Sequence, residues 1–107
     1  MVIDVPPVDP SEAKKEELKS LMPNFLRRRA EDVERVRAAI AIDDFSVVAT
    51  IGHNLRGSGA SYGFPELSAI GAAIEKGALD GDAASVAREV ASLAEALSRI
   101  TGAMPTK

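Results

Sequence analysis

The sequence predicts an all-α protein: an antiparallel up-down-up-down four-helix bundle with a short N-terminal accessory helix. Three observations lead there. Apolar residues recur at spacings of three, four and seven along most of the chain, the period of helices with one buried face. Aromatic residues make up only 4% of the chain while alanine is abundant, which favours packed helices over strands. The breaks between periodic stretches are short, so consecutive helices should lie side by side and run in opposite directions. At 107 residues there is room for one domain, and every helix must contribute to a single core.

Residues 1–9, with Pro6 and Pro7 and no helical period, read as an extended tail. Asp9-Pro10-Ser11-Glu12 is a helix start: Asp9 can cap, Pro10 fits the first turn and Glu12 can complete a capping box. A short helix then runs to about Met22, with Leu18, Leu21 and Met22 inward. Pro23 lacks a backbone donor and should kink the chain or restart a helix. From Asn24 to Ile42 the stripe is Leu26, Val33, Val36 and Ile40; Asp43-Asp44 ends this helix and caps the next. The third segment, Phe45 to Tyr62, turns Val47, Ile51, Leu55 and Tyr62 inward. Gly63 closes it and Pro65 opens the next. Leu67, Ile70 and Ile74 mark the fourth segment, and Asp80-Gly81-Asp82 is a stop followed by a cap. The last helix carries Val86, Val90, Leu93, Leu97 and Ile100, and Gly102 and Pro105 end it. The domain is therefore placed at residues 10–102, with tails at 1–9 and 103–107.

Composition narrows the function classes. A chain 46% hydrophobic and 27% charged is globular rather than disordered. It has no cysteine, so disulfides and thiolate metal sites are excluded. No apolar run approaches the ~20 residues of a membrane helix. The N-terminus lacks the basic start and long apolar core of a signal peptide, so a cytoplasmic location is expected. A net charge of −3 gives no general attraction to nucleic acid or acidic membranes.

His53 is the single histidine. At ~100° per residue, Val47, Ile51, Leu55, Ser58 and Tyr62 fall within about 80° of one another. His53 then lies roughly 200° from the centre of that stripe, on the solvent face. Around it stand Ser46, Ala49, Arg56, Gly57 and Ala60, where a solvated face normally carries long charged side chains. Glycine inside a helix costs ~1 kcal/mol relative to alanine, yet Gly52, Gly57 and Gly59 all fall on this one helix. Bare backbone beside an imidazole lets another protein, or a phosphoryl group, come close. Close helix–helix packing is the other reason for such glycines, and is preferred for Gly59.

The run Ile51-Gly52-His53-Asn54-Leu55-Arg56-Gly57-Ser58-Gly59-Ala60-Ser61-Tyr62-Gly63-Phe64 closely resembles the motif of histidine phosphotransfer (HPt) domains of multistep two-component phosphorelays. His53, Leu55, Arg56, Gly57, Ser58 and Gly63 match that motif position by position, with Arg56 where lysine is more usual. The resemblance extends from about Leu18 to Ile100. It implies a four-helix bundle with an accessory helix. It also implies a phosphorelay intermediate: His53 takes a phosphoryl group from a receiver-domain aspartyl phosphate and passes it to another receiver aspartate. Such a phosphocarrier has no ATP-dependent kinase activity of its own, and the chain has no G-x-x-x-x-G-K-[ST] loop.

Residue roles follow from the resemblance and the helical phase. A neutral imidazole nitrogen is a competent nucleophile, and Nε2 is taken as the attacking atom because it is outermost. Arg56, three residues on, is assigned to stabilise phosphoryl charge. Ser46, Ala49, Gly57 and Ala60 are assigned to the partner-binding face, Gly57 for clearance. The implied partners are response-regulator receiver domains and a hybrid histidine kinase, and the chain itself is expected to be a monomer. No metal or cofactor is assigned to this chain, whose His53 helix shows no carboxylate cluster; Mg²⁺ is expected on the partner receiver. Ser58 should bond a backbone carbonyl. Arg27-Arg28-Arg29, with Arg35 and Arg37, read as a solvated face balanced by Glu31, Asp32 and Glu34, or as part of a docking rim. Two other functions remain: a pseudo-HPt module that docks receivers without chemistry, and a structural helical-bundle interaction domain. The intact His-x-x-Arg-Gly-Ser pattern argues against the first. The small-residue outer face argues against the second, because a helix seam wants larger apolar residues.

Overall fold

The computed structural model describes residues 10–103, with side chains from Leu21 onward. Four helices form: α1 Pro10–Ala41, α2 Phe45–Ser61, α3 Pro65–Leu79 and α4 Ala83–Ala103. Among the described residues there is no strand. Helix α1 packs on α2 and α4, and α3 packs on the same two; α1 meets α3, and α2 meets α4, only across the diagonal. Each helix thus turns one stripe to a common centre. Val36 from α1, Val48 and Leu55 from α2, Leu67 and Ile74 from α3, and Val86 and Leu93 from α4 are all fully buried there. Each such side chain contributes about 1.5–3 kcal/mol of burial.

The three connections share one construction. Each places a residue in the left-handed region just past a helix end: Asp43 (φ 57°), Gly63 (φ 80°) and Gly81 (φ 65°). The next backbone N–H then reaches back to the helix: Asp44 to Ala39 O at 2.8 Å, Phe64 to Gly59 O at 2.7 Å, Asp82 to Gly77 O at 2.9 Å. The same short segments start the next helix. Asp44 accepts a bond from the Val47 N–H and Asp82 from the Ser85 N–H. Pro65 takes the first turn of α3.

The fold departs from the sequence reading in four places. The accessory segment and the helix after it are one element, because α1 runs unbroken through Pro23. Pro23 itself sits on the exposed face, so its ring does not intrude on the core. The stripe Met22, Phe25 and Leu26 continues through it into the core. Leu21, expected inward, is 42% exposed. In α2 the buried residue is Val48 and not Val47, which is 37% exposed. The reason is that Gly52 and Gly59 occupy core positions without carrying apolar side chains. The hydrophobic pattern alone therefore places the stripe one residue off. Finally, Gly102 lies within α4, which runs through Ala103. Asp9, the 1–9 tail, Pro105 and the side chain of Leu18 lie outside the described residues.

Candidate functional site

The site is set by how closely α2 and α3 approach. A Cβ added to Gly52 would stand 2.6 Å from the Glu75 N and 2.8 Å from the Gly71 O. One added to Gly59 would stand 2.6 Å from the Ser68 N, and one on Gly71 would stand 2.4 Å from the Arg56 N. The two helices meet backbone to backbone, and no residue with a side chain fits at these three positions. The Ser68 hydroxyl adds a 2.8 Å bond to the Arg56 carbonyl. Helix packing therefore accounts for Gly52 as well as Gly59, and clearance is left as a reading for Gly57 alone. Around Gly57 an added Cβ meets nothing within 4 Å.

This seam brings a carboxylate to the imidazole. With the buried set recentred on Val48, Ile51, Gly52, Leu55 and Gly59, His53 points about 145° away from the core. Its side chain is 60% exposed. Glu75, one residue past buried Ile74 on α3, places Oε2 3.0 Å from His53 Nδ1. Its other oxygen, Oε1, lies 3.5 Å from Arg56 Nη1. Arg56 Nη2 is 3.5 Å from the same His53 Nδ1. Arg56 thus stands at the Nδ1 edge of the ring, while Nε2 has no hydrogen-bond partner among the described residues. Sequence reasoning found no carboxylate near His53 because it looked along one helix. Glu75 comes from the neighbouring one, and only the α2–α3 register reveals it.

The assigned partner-binding residues share the outer face, with one exception. Ser46, Gly57 and Ala60 are exposed, whereas Ala49 is half-buried and packs against the core. The small-residue surface continues onto α3. Arg56 and Ala60 line a shallow groove of about 450 Å³ with Pro65, Ser68, Ala69 and Ala72. Among the described residues no group of three His, Asp or Glu side chains could hold a metal ion.

Behind α2 lies a second polar cluster that the sequence reading treated as solvated. Arg27 and Arg28 are exposed, but the side chain of Arg29 is only 15% exposed. Arg29 Nη1 donates to Ser58 Oγ at 2.7 Å, and its Nε lies 3.0 Å from Asp32 Oδ2. Arg35 Nη1 meets Asp32 Oδ1 at 3.2 Å. Asp32 is buried, and burial pushes its carboxyl above the ordinary aspartate range while Arg29 and Arg35 pull the other way. Ser58 also reaches the Leu55 carbonyl, at a longer 3.5 Å, so it serves the packing of α1 on α2.

A small helical bundle whose only imidazole stands exposed on its second helix is the frame of a histidine phosphotransfer module. The Hpt domain family model matches residues 20–103, and the chain belongs to that family. No curated protein and no solved structure matches it. Membership implies histidine phosphotransfer within phosphorelays, in contact with receiver domains and histidine kinases; Hpt domains are phosphocarrier modules rather than kinases. No helix among the described residues is long and apolar enough to cross a membrane.

Proposed function

We propose that His53 is the phosphoacceptor, taking a phosphoryl group from a receiver-domain aspartyl phosphate and passing it to another receiver aspartate. The observation that carries this reading is the exposure of His53 in the middle of α2, beside open space at Gly57. An aspartyl phosphate buried in a receiver can be met only by a group that protrudes from a surface with room for the partner. Nε2 is the attacking atom. Arg56 stabilises charge on the phosphoryl group in flight. Its half-exposed contact with Glu75 is weak enough, ~0–1 kcal/mol, for the guanidinium to turn to a more highly charged phosphoryl group. Ser46, Gly57 and Ala60, with the accessible edge of Ala49, receive the partner. Mg²⁺ is supplied by the receiver, and this chain needs no cofactor.

The bundle takes the antiparallel up-down-up-down arrangement. Three-residue connections support it, as does the pairing of Gly52 with Ile74 and Glu75 while Gly59 meets Leu67 and Ser68. The module works as a cytoplasmic monomer.

The test is transfer itself. Incubation with a phosphorylated receiver domain should leave acid-labile phosphate on the wild-type chain, and none on His53→Ala or His53→Gln. Label that persists in these variants overturns the assignment. Docking of the receiver with no label on the wild type would make the chain a receiver-binding module without chemistry.

A further inference from the structure

We propose that the groove between α1 and α2 docks an acidic, extended segment of a partner protein, whose carboxylates meet Arg28 and Arg35. Two clefts open along this groove. One, of about 320 Å³, has Asn24, Arg28, Arg29 and Tyr62 in its walls. The other, of about 230 Å³, has Arg29, Arg35, Thr50 and Asn54 in its walls, with the buried Asp32. Arg29 borders both, so the two clefts lie end to end.

The groove carries a surplus of positive charge. Three guanidinium groups stand against one carboxylate, and Asp32 is already engaged: its oxygens lie 3.0 Å from Arg29 Nε and 3.2 Å from Arg35 Nη1. The facing wall adds no negative charge, because α2 has no Asp or Glu along its length. Arg28 is exposed and pairs with no acid among the described residues. Arg35 has a side chain 63% exposed, with donors left beyond the one that meets Asp32. Asn24 accepts from Arg27 through its oxygen, which leaves its amide N–H groups for a ligand. Glu31 is exposed on the same helix but lines neither cleft.

Spacing and charge select the occupant. Arg28 and Arg35 are two turns apart on one side of α1, about 10 Å along its axis. An extended chain covers that distance in three residues at about 3.3 Å each. The fitting segment therefore has Asp or Glu at positions three apart. A polyanion such as nucleic acid fits poorly, because its charge is continuous and would also meet Glu31 and Glu34 on a chain of net charge −3. Thr50 and Asn54 stand about 60° and 100° around α2 from His53. A bound segment then runs beside the imidazole and not across it. Exposed ion pairs of this kind act on the rate and selectivity of encounter, so the groove chooses the partner. Nothing in this docking requires His53 to take phosphate.

The test is a titration of the ¹⁵N-labelled chain with a capped tetrapeptide carrying glutamate at both ends. Shifts should gather at Arg28, Arg29, Arg35, Thr50 and Asn54, and binding should weaken as salt is added. Arg28→Glu, at an exposed position, should fold as the wild type does. It should bind about tenfold more weakly, since an exposed ion pair is replaced by a repulsion. Arg35→Ala, which leaves Arg29 with Asp32, should also weaken binding. Unchanged affinity in Arg28→Glu, shifts gathered elsewhere, or equal binding of the peptide with lysine at both ends overturns the proposal. An equal response to inorganic phosphate would make the groove a site for lone anions, and tighter binding of a short single-stranded oligonucleotide would make it a nucleic-acid site. Either result also overturns it.

Discussion

The two ring nitrogens of His53 differ: Nδ1 lies 3.0 Å from Glu75 Oε2, while Nε2 has no hydrogen-bond partner among the described residues. Arg56 Nη2 lies 3.5 Å from Nδ1, so the part proposed for it in transfer requires it to move. Arg56→Ala should slow phosphoryl uptake by about 10²-fold, within the range of a lost charge-stabilising donor, while Arg56→Lys keeps most of the rate; rapid-quench transfer assays with a phosphorylated receiver measure both. Wild-type rates in Arg56→Ala would remove it from the chemistry. Asp32 makes a separate prediction on stability. Its folded carboxyl binds a proton more tightly than the unfolded one, because burial raises it. Protonated Asp32 therefore favours the fold, and that contribution is lost as pH rises from the ordinary aspartate range through the raised folded value. Urea denaturation followed as pH rises from the ordinary aspartate range, near about 4, should show wild type losing stability relative to Asp32→Asn. A difference that stays constant would mean that Arg29 and Arg35 cancel the burial effect.

The elements explain which glycines matter and for what. Gly57 has free space around it, so Gly57→Ala should leave the fold intact and raise its stability by up to ~1 kcal/mol. Gly57→Leu should also fold, yet lose receiver docking in a binding titration; normal docking would dismiss the clearance role. Gly52→Ala should cost about 1–3 kcal/mol, because its methyl group would press on the Glu75 and Gly71 backbone and on the Ile74 side chain. The sequence showed three glycines on one helix but could not tell these roles apart, since both a bare face and a tight seam read as missing side chains. The same blindness produced the phase error in α2. Val47 was taken as inward because Gly52 and Gly59 carry no hydrophobic signal, although both are core positions. His53 survived that error because the solvent face is wide enough to absorb the shift. The helix ends were easier to read: Asp44, Gly63, Pro65, Gly81 and Asp82 all work by local backbone chemistry that needs no tertiary knowledge.

At the scale of the molecule, four helices share one core, and the diagonal separation of α2 from α4 sets how damage spreads. Leu93→Ala on α4 should cost about 2–5 kcal/mol, read as a lower urea midpoint. Because the α2 and α4 backbones lie across the diagonal of the bundle, the phosphorylation rate per folded molecule should stay at the wild-type value. A slower rate in fully folded protein would reveal coupling across the core. What the sequence could not show at this scale was every contact made between helices. Glu75 at His53, Arg29 at Ser58 and the buried Asp32 each depend on register or rotation, and a single chain of letters carries neither. The helix does not restart at Pro23 for a related reason: whether a proline breaks a helix depends on which side of it faces water. The glycine seam has one last consequence, for the thermodynamics of encounter. Two helices locked backbone to backbone have little freedom left to surrender when a partner arrives. The entropy lost on docking then falls chiefly on the receiver and on a few surface side chains such as Arg56. A carrier that must bind one partner, let go and bind another gains from this, because a stiff surface can be recognised quickly without being gripped for long.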